Sequence, residues 1–421
     1  MAIHLPADGW LLFVTRCSRM FAYGLLSVVF VLYLVEVGLE QWEIGLLLTL
    51  TLLGDTAISL WLTTTADRFG RRRTLIVGAL LMATAGVAFI ATNSLPLLVL
   101  AATVGVISPS GNEIGPFLSV EQAALSQIVG DQRRTDVFAW YNLVGSCSTA
   151  LGALAGGLIA EAALEWGLSG AGVYRPVLLV YAGIGMTLIA GFSLLSPAIE
   201  TAAAGKSRTA DAPDTITKTL LGLHASRSIV LKLCLLFALD AFGGGFIIQS
   251  IVAYWFHVRF QLDPAMLGTL FMFANLLAGV SALAAGWLAR RIGLINTMVF
   301  THLPSNVLLI LIPLMPNVYL AMALLLLRFS ISQMDVPTRQ AYTMAVVRPD
   351  ERSAASGLTA VARSLGASIS PMLATIFVGT AGLTSLPFFL AGGLKIVYDL
   401  LLYRAFSGAK RSDQDPSDNR R

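Results

Sequence analysis

Charged side chains that interrupt long apolar runs are the residues of this sequence best suited to chemistry. Glu113 lies in the Pro- and Gly-rich stretch VISPSGNEIGPFLSVEQAALSQ, and Glu121 follows eight residues later, about two helical turns on and on a similar face. Asp55 lies in a second apolar run, within TLLGDTAISL. A carboxylate held away from water can take up and release a proton, so all three are candidates for proton coupling or solute binding.

Glu113 is the strongest of these candidates, because prolines and glycines break the helix around it and free backbone groups beside it. Two alternatives remain: Glu113 stabilises the kink, or it is the partner of Arg339 or Arg363. For Asp55 the alternative is a hydrogen bond to a neighbouring helix.

Opposite charges also occupy matching positions in two further runs. Arg19 lies in the first run and Asp240 in the seventh, at an offset of 221 residues. We predict that they pair, either across a solute cavity or as a static salt bridge between two halves. Arg16, one turn before Arg19, is expected to reach the cytoplasmic interface.

Two late runs carry the remaining charged candidates. The stretch LLRFSISQMDVPTRQAYTM contains Arg328, Asp335 and Arg339, and the next run contains Arg363, opposite Asn142 of the fifth run. An ionisable side chain inside a membrane is costly, so each is a candidate for substrate binding or proton coupling.

The composition shows what must position these residues. The chain is 56% hydrophobic and 12% charged, whereas soluble proteins carry about 25% charged residues. Its surface is therefore expected to face lipid. The net charge of +4 lies in short clusters between apolar runs, not in a basic face, which argues against nucleic-acid binding.

Twelve apolar runs are long enough to be membrane-spanning helices, six on each side of a polar stretch. We predict an N-terminal six-helix bundle (1–199), a cytoplasmic linker (200–227), a C-terminal six-helix bundle (228–406) and a disordered cytoplasmic tail (407–421). The expected spans are 10–35, 43–65, 74–92, 97–128, 136–160, 176–197, 228–256, 265–289, 294–312, 317–347, 354–379 and 384–406.

Lysine and arginine concentrate in alternate loops, in the linker and in the tail. This positive-inside pattern predicts a multi-pass protein of the cell membrane with both termini in the cytoplasm.

The two halves also repeat short patterns. GWLARRIG (286–293) aligns with TTTADRFG (63–70) at an offset of 223 residues, and RMFAYGLLSVVFVLY aligns with DAFGGGFIIQSIVAY at 221. Parallel repeats joined by a linker are typical of transporters whose substrate site lies between the halves.

The sequence therefore resembles the major facilitator superfamily. The family's loop between helices 2 and 3, G-x-L-A-D-R-x-G-R-R/K, is matched here at Asp67, Arg68, Gly70 and Arg71, with Thr63 in place of the first glycine. The resemblance implies that Asp67 and its neighbours form a latch in the outward-facing state. The alternative is that this cluster only anchors the topology.

The resemblance implies an all-α membrane protein with twelve transmembrane helices in two pseudo-symmetric six-helix bundles. We predict a secondary active transporter that moves a small polar or charged organic solute by alternating access, coupled to protons. GALAGG (Gly152–Gly157) is similar to the G-P-x-x-G-G pattern of antiporters, with Ala153 replacing the proline, and slightly favours export. Close helix packing is the alternative reading of these glycines.

A second function class is a receptor or scaffold on the same fold that transports nothing. Enzyme activity is not expected, because the sequence shows no nucleophile–base pair, metal motif or Walker loop. The four histidines are predicted to lie near run ends, outside any relay or metal cluster. We expect a monomer without cofactors, whose partners are a small solute, protons and the lipid bilayer, and not nucleic acid.

Overall fold

The computed structural model describes residues 5–113, 115–129, 131–200, 223–224 and 226–406, apart from the side chains of Asp67 and residues 131–136. The predicted tail and most of the linker therefore lie outside the described residues. All regular elements of the described part are helical. In the first half they are α1 (Ala7–Glu36), α2 (Gln41–Phe69), α3 (Arg71–Ala91), α4 (Leu95–Val104), α5 (Phe117–Ile128), α6 (Asp131–Glu165) and α7 (Arg175–Ser193).

The second half has a similar succession of helices, except that the counterpart of α1 is divided into two. Its elements are α8 (Arg227–Gly245), α9 (Gln249–Phe260), α10 (Pro264–Ile292), α11 (Leu294–Leu311), α12 (Val318–Ser332), α13 (Asp335–Val346), α14 (Arg352–Gly379) and α15 (Leu386–Phe406). Within the described ranges, eleven helical segments are long and apolar enough to cross a membrane. The remaining predicted span, 97–128, is divided between the short helices α4 and α5, so the all-α membrane fold is confirmed.

The division of the fourth span has a local cause in its glycines and prolines. Val106, Gly111 and Gly115 have φ angles of 51°, 70° and 77°, which a right-handed helix does not contain. The chain becomes helical again at Phe117, directly after Pro116. The break predicted around Glu113 is therefore present.

Glycines of α6 allow it to pack directly on α1 and α10. A Cβ atom at Gly152 or Gly156 would meet the backbone of Phe21 or Leu25 in α1, and one at Gly157 would lie 2.9 Å from Gly268 Cα in α10. These contacts explain GALAGG by helix packing, the alternative given above for this pattern.

The charged loop after α2 forms a tight turn. Gly70 has a φ of 99° and separates α2 from α3. The Glu200 carboxylate accepts hydrogen bonds from the backbone N–H groups of Arg71 (2.7 Å) and Arg72 (3.1 Å), at the positive end of the α3 dipole. The side chain of Asp67 lies outside the described part, so its latch role stays a prediction.

The chain divides into two compact units. The first contains Met1–Asp214 together with Ile248–Leu276 and Pro371–Thr384, and the second contains the remaining segments. Side chains of the first half hold the two later segments: Gln249 Nε2 donates to Ser27 Oγ (2.7 Å), and Thr375 Oγ1 donates to the Gln41 carbonyl (2.9 Å).

Candidate functional site

Arg19 is the centre of a buried charge network in the first half. Its guanidinium is fully buried and donates from Nη1 and Nη2 to the two carboxylate oxygens of Glu121, at 2.6 and 2.8 Å. Nη2 also donates to Glu113 Oε1 at 2.6 Å. Arg19 therefore holds a bidentate pair with one carboxylate and shares the second.

Arg16 completes this network, which we call the first-half cluster (Arg16, Arg19, Glu113 and Glu121). Arg16 Nη1 lies 2.6 Å from Glu113 Oε2, and Nε donates to the Tyr141 carbonyl at 2.9 Å. The expectation that Arg16 reaches the interface is wrong, because its side chain is buried and its charge is balanced by Glu113. Asn142 Oδ1 accepts a weaker hydrogen bond from Arg16 Nη2, at 3.4 Å.

The fold accounts for this grouping. The break between α4 and α5 carries Glu113 to α1, and Glu121 on α5 reaches the same arginine, although Glu113 itself lies outside the helix. The alternative that Glu113 pairs with Arg339 or Arg363 is wrong, since its carboxylate is bound by Arg16 and Arg19.

Asp55 lies beside this cluster without joining its ion pairs. Its Oδ1 accepts a hydrogen bond from the Gly115 backbone N–H at 2.7 Å, and the Ser59 hydroxyl lies 3.4 Å away. Asp55 therefore binds the broken segment two residues after Glu113. Its contact is a hydrogen bond to the neighbouring span, which is the alternative given for it above.

A second buried network lies among α8, α13 and α15. Asp240 Oδ2 accepts from Arg339 Nη1 at 2.8 Å, and Asp240 Oδ1 accepts from Lys395 Nζ at 2.6 Å. Arg339 Nη2 also pairs with Asp335 Oδ2 at 3.1 Å. We call these four residues the second-half cluster. The predicted pair of Arg19 with Asp240 is wrong, because each has its ion-pair partners within its own half.

Sequence reasoning missed the outer part of this network. Asp399 on α15 lies 2.9 Å from His302 Nδ1 and accepts from Asn306 Nδ2 at 3.0 Å. His302 is buried within α11, so its expected place near a run end is wrong. The signal was present: Lys395 and Asp399 stand one helical turn apart in the apolar run GGLKIVYDLL.

Arg328 and Arg363 are the two predicted cationic candidates that stay outside both clusters. Arg328 on α12 is buried, and its guanidinium carbon lies 5.3 Å from the centre of the Phe329 ring. Arg363 on α14 is partly buried. Within the described part of the chain, neither guanidinium forms a salt bridge.

The comparisons with known proteins agree with this arrangement of helices. A family model described as Major Facilitator Superfamily matches residues 12–371. A relative from Saccharomyces cerevisiae, "Uncharacterized membrane protein YJR124C", is 30% identical over 424 residues and is matched over 95% of this chain and 94% of its own. The chain therefore belongs to the major facilitator superfamily, and it is a multi-pass membrane transporter and not an enzyme.

Solved structures show the same fold at low sequence identity. The nucleoside transporter NupG is 14% identical with a TM-score of 0.71, covering 95% of this chain and 99% of that one. The D-xylose-proton symporter is 12% identical with a TM-score of 0.73, covering 94% and 97%. The human organic anion transporter MFSD10 (TETRAN) is 18% identical with a TM-score of 0.62, covering 94% and 100%.

Proposed function

We propose that this transporter moves a small polar or charged organic solute by alternating access and couples that movement to protons. The observation that carries the proposal is the first-half cluster: three buried charged side chains on α1 and α5, together with Glu113, which is 12% exposed and lies in the break of the fourth span. Burying charge in a membrane protein is costly, and such residues commonly serve substrate binding or proton relay.

Glu113 is the proposed coupling residue within this cluster. It is 12% exposed, whereas the side chains of Arg19 and Glu121 are fully buried. A proton on Glu113 would neutralise the carboxylate that balances Arg16, while Arg19 would keep Glu121. Protonation therefore changes the charge available at Arg16, and an anionic group at Arg16 would in turn favour protonation of Glu113.

The solute class is left open by the solved relatives. By their names, these proteins carry nucleosides, D-xylose with protons, and organic anions. The fold is thus compatible with neutral and charged solutes, and buried charge on both halves of this chain favours a polar one. Export rests on the partial GALAGG pattern alone.

The remaining expectations about topology and switching are part of the same proposal. Asp67, Arg68, Gly70 and Arg71 are proposed to latch one conformation, and both termini are proposed to lie in the cytoplasm of a cell-membrane monomer. Arg71 also contacts its own half, where Nη1 donates to Gln127 Oε1 at 2.7 Å.

The test of proton coupling begins with the solute. A thermal-shift screen of the purified protein against diverse solutes at two pH values identifies ligands, since a ligand of the folded state raises its unfolding temperature. Flux of the best ligand is then measured in proteoliposomes with an imposed pH gradient. We expect the ligand to accumulate in the proteoliposomes and a protonophore to abolish this accumulation. Ligand flux that does not depend on the pH gradient would contradict the proposal.

Glu113→Gln separates the roles open to Glu113, because glutamine resembles a permanently protonated carboxyl group. We expect it to keep solute counterflow and lose proton-driven accumulation. Loss of counterflow as well would mean that Glu113 binds the solute directly, and normal proton-driven flux would move coupling to Asp55 or Glu121. Glu161→Gln, on α6 outside the cluster, is the matched control and should behave as the unchanged protein.

A further inference from the structure

The inner charges of the second half contain more cations than carboxylates. Four cationic side chains, on α12, α13, α14 and α15, face two carboxylates, those of Asp240 and Asp335. The four cations are Arg328, Arg339, Arg363 and Lys395. His302 and Asp399 adjoin these charges, with His302 Nδ1 2.9 Å from Asp399 and Nε2 3.7 Å from Asp240 Oδ1, and even with a neutral His302 and an ionised Asp399 the region keeps one excess positive charge.

The two carboxylates are already occupied. Asp240 uses one oxygen for Lys395 and the other for Arg339, and Arg339 also binds Asp335. Arg328 is 8% exposed, and its buried Nε has no hydrogen-bond acceptor among the described residues. The excess positive charge therefore resides on Arg328 and Arg363.

Both arginines lie on helices that adjoin the two carboxylates. Arg363 precedes Gly366 by one helical turn on α14, and Gly366 packs on the Ala238 carbonyl of α8, two residues before Asp240. Arg328 lies on α12, which ends three residues before Asp335 begins α13. Arg328 lies four residues before the end of α12 at Ser332, and Arg363 lies in the interior of α14 (Arg352–Gly379), so neither can easily reach a polar membrane surface. Arg328 is buried and Arg363 is partly buried, and a buried cation without a counterion is strongly destabilising, which indicates that a ligand supplies the missing negative charge.

The first half differs in this respect. Its two arginines are matched by Glu113 and Glu121, and Asp55 adds a further carboxylate. While Glu113 is ionised, the uncompensated positive charge therefore lies in the second half.

We propose that Arg363 and Arg328 bind the anionic group of the transported solute, a carboxylate or a phosphate, so that the substrate is an organic anion. The inference rests on the proposed function in one respect, that the protein carries a solute. A guanidinium suits such a ligand because its planar N–H groups match two oxygens of a carboxylate or phosphate.

The test uses probes that share a ring and differ in charge. Purified full-length protein is heated with benzoate, phenyl phosphate, benzamide or benzamidine, and the unfolding temperature is followed against probe concentration. We expect benzoate or phenyl phosphate to stabilise the protein, and the neutral and cationic probes to have no effect. The two anions distinguish a carboxylate from a phosphate site. Stabilisation by neither anion would overturn the inference.

Variants assign the effect to the two arginines. Arg363→Gln and Arg328→Gln should each weaken the stabilising anion about tenfold or more, which corresponds to about 1.4 kcal/mol. Arg363→Lys should keep part of it. Arg290→Gln, which removes an exposed cation at the end of α10, is the control and should bind like the unchanged protein. If the anion stabilised all four variants equally, Arg363 and Arg328 would not form its binding site.

Ligand-free stability gives a second, independent measurement. If Arg363 and Arg328 lack counterions, their replacement by glutamine should leave the unfolding temperature unchanged or raise it. A fall in both variants would show that the chain itself satisfies these charges, and would also overturn the inference.

The outcome is separable from that of the proposed function. Proton-driven transport of a neutral or cationic solute, without anion binding at Arg363, would refute this inference and leave proton coupling intact. If Arg363→Gln loses anion binding and the flux of the unchanged protein does not depend on the pH gradient, this inference stands and proton coupling is refuted.

Discussion

At the scale of single residues, each half of this protein contains a carboxylate that forms ion pairs with two cations. Glu113 lies between Arg16 and Arg19, and Asp240 lies between Arg339 and Lys395. Protonating Glu113 would leave Arg16 without its counterion while Arg19 keeps Glu121, and neutralising Asp240 would leave Lys395 without its counterion while Arg339 keeps Asp335. That property makes such a residue suitable for coupling proton binding to solute binding.

The stability of the first-half cluster can be tested by removing one charge and then its partner. Among the described residues, Arg19→Gln leaves buried Glu121 with the Tyr141 hydroxyl as its remaining partner, while Glu113 keeps Arg16. We expect the single change to cost about 3–5 kcal/mol and the double change Arg19→Gln, Glu121→Gln to recover part of it. Thermal unfolding in detergent measures both. Additive losses would show that the two residues do not act as a pair.

The second-half cluster predicts which of two substitutions lowers the unfolding temperature more. Asp240→Asn leaves Lys395 without its carboxylate, whereas Lys395→Met leaves Asp240 paired with Arg339. Asp240→Asn should therefore lower the unfolding temperature more than Lys395→Met, and the double change should be milder than Asp240→Asn alone. The reverse order would mean that Lys395 has a further role.

The sequence could identify most of these residues but not their partners. Glu113, Glu121 and Asp240 were recognisable because charge is rare inside apolar runs. The pairing of Arg19 with Glu113 depends on the path of a non-helical segment, which residue spacing does not encode. His302 was missed because burial within a helix depends on what packs against it.

At the scale of elements, breaks in the helices bring these residues together. The fourth and tenth spans each divide into two helices. Prolines and glycines indicated the break in the fourth span, whereas the tenth contains no glycine and its Pro337 lies within α13. The seventh span divides as well, between Gly245 and Gln249, and this break was not predicted. Three successive glycines at the end of α8 (Gly243–Gly245) were the available signal.

The broken fourth span should be sensitive at Gly115. Its φ of 77° disfavours any other residue, and a Cβ there would lie 2.7 Å from Val106 Cγ1. Its N–H also holds Asp55. Gly115→Ala should cost at least roughly 1–2 kcal/mol. Gly183→Ala on α7, where a Cβ has open space, is the control and should be neutral or slightly stabilising. Equal unfolding temperatures for the two variants would contradict this account.

At the scale of the whole molecule, parts of the second half pack against the first within one compact unit. Gln249 binds Ser27, Gln41 Nε2 donates to the Tyr254 hydroxyl at 2.9 Å, and Gly157 of α6 meets Gly268 of α10. In a transporter that alternates between two conformations, contacts of this kind must form in one state and separate in the other. A larger side chain at one of these closely packed glycines would therefore oppose the approach of α6 to α10.

Gly157→Leu should therefore shift the protein away from the described conformation, because a leucine side chain cannot fit against Gly268 without moving α6 from α10. Maleimide labelling of Ser250→Cys measures the shift, in a background without Cys17, Cys147 and Cys234. Ser250 is fully buried at the start of α9, so its labelling should be slow until this contact opens.

Ser305→Cys on α11 provides the matched control, since Ser305 is equally buried but lies in the other compact unit. We expect Gly157→Leu to accelerate labelling at position 250 and leave position 305 unchanged. Faster labelling at both positions would indicate general unfolding. No change at either position would show that the contact between Gly157 and Gly268 does not hold this conformation, because a bulky side chain would then fit without separating the two helices.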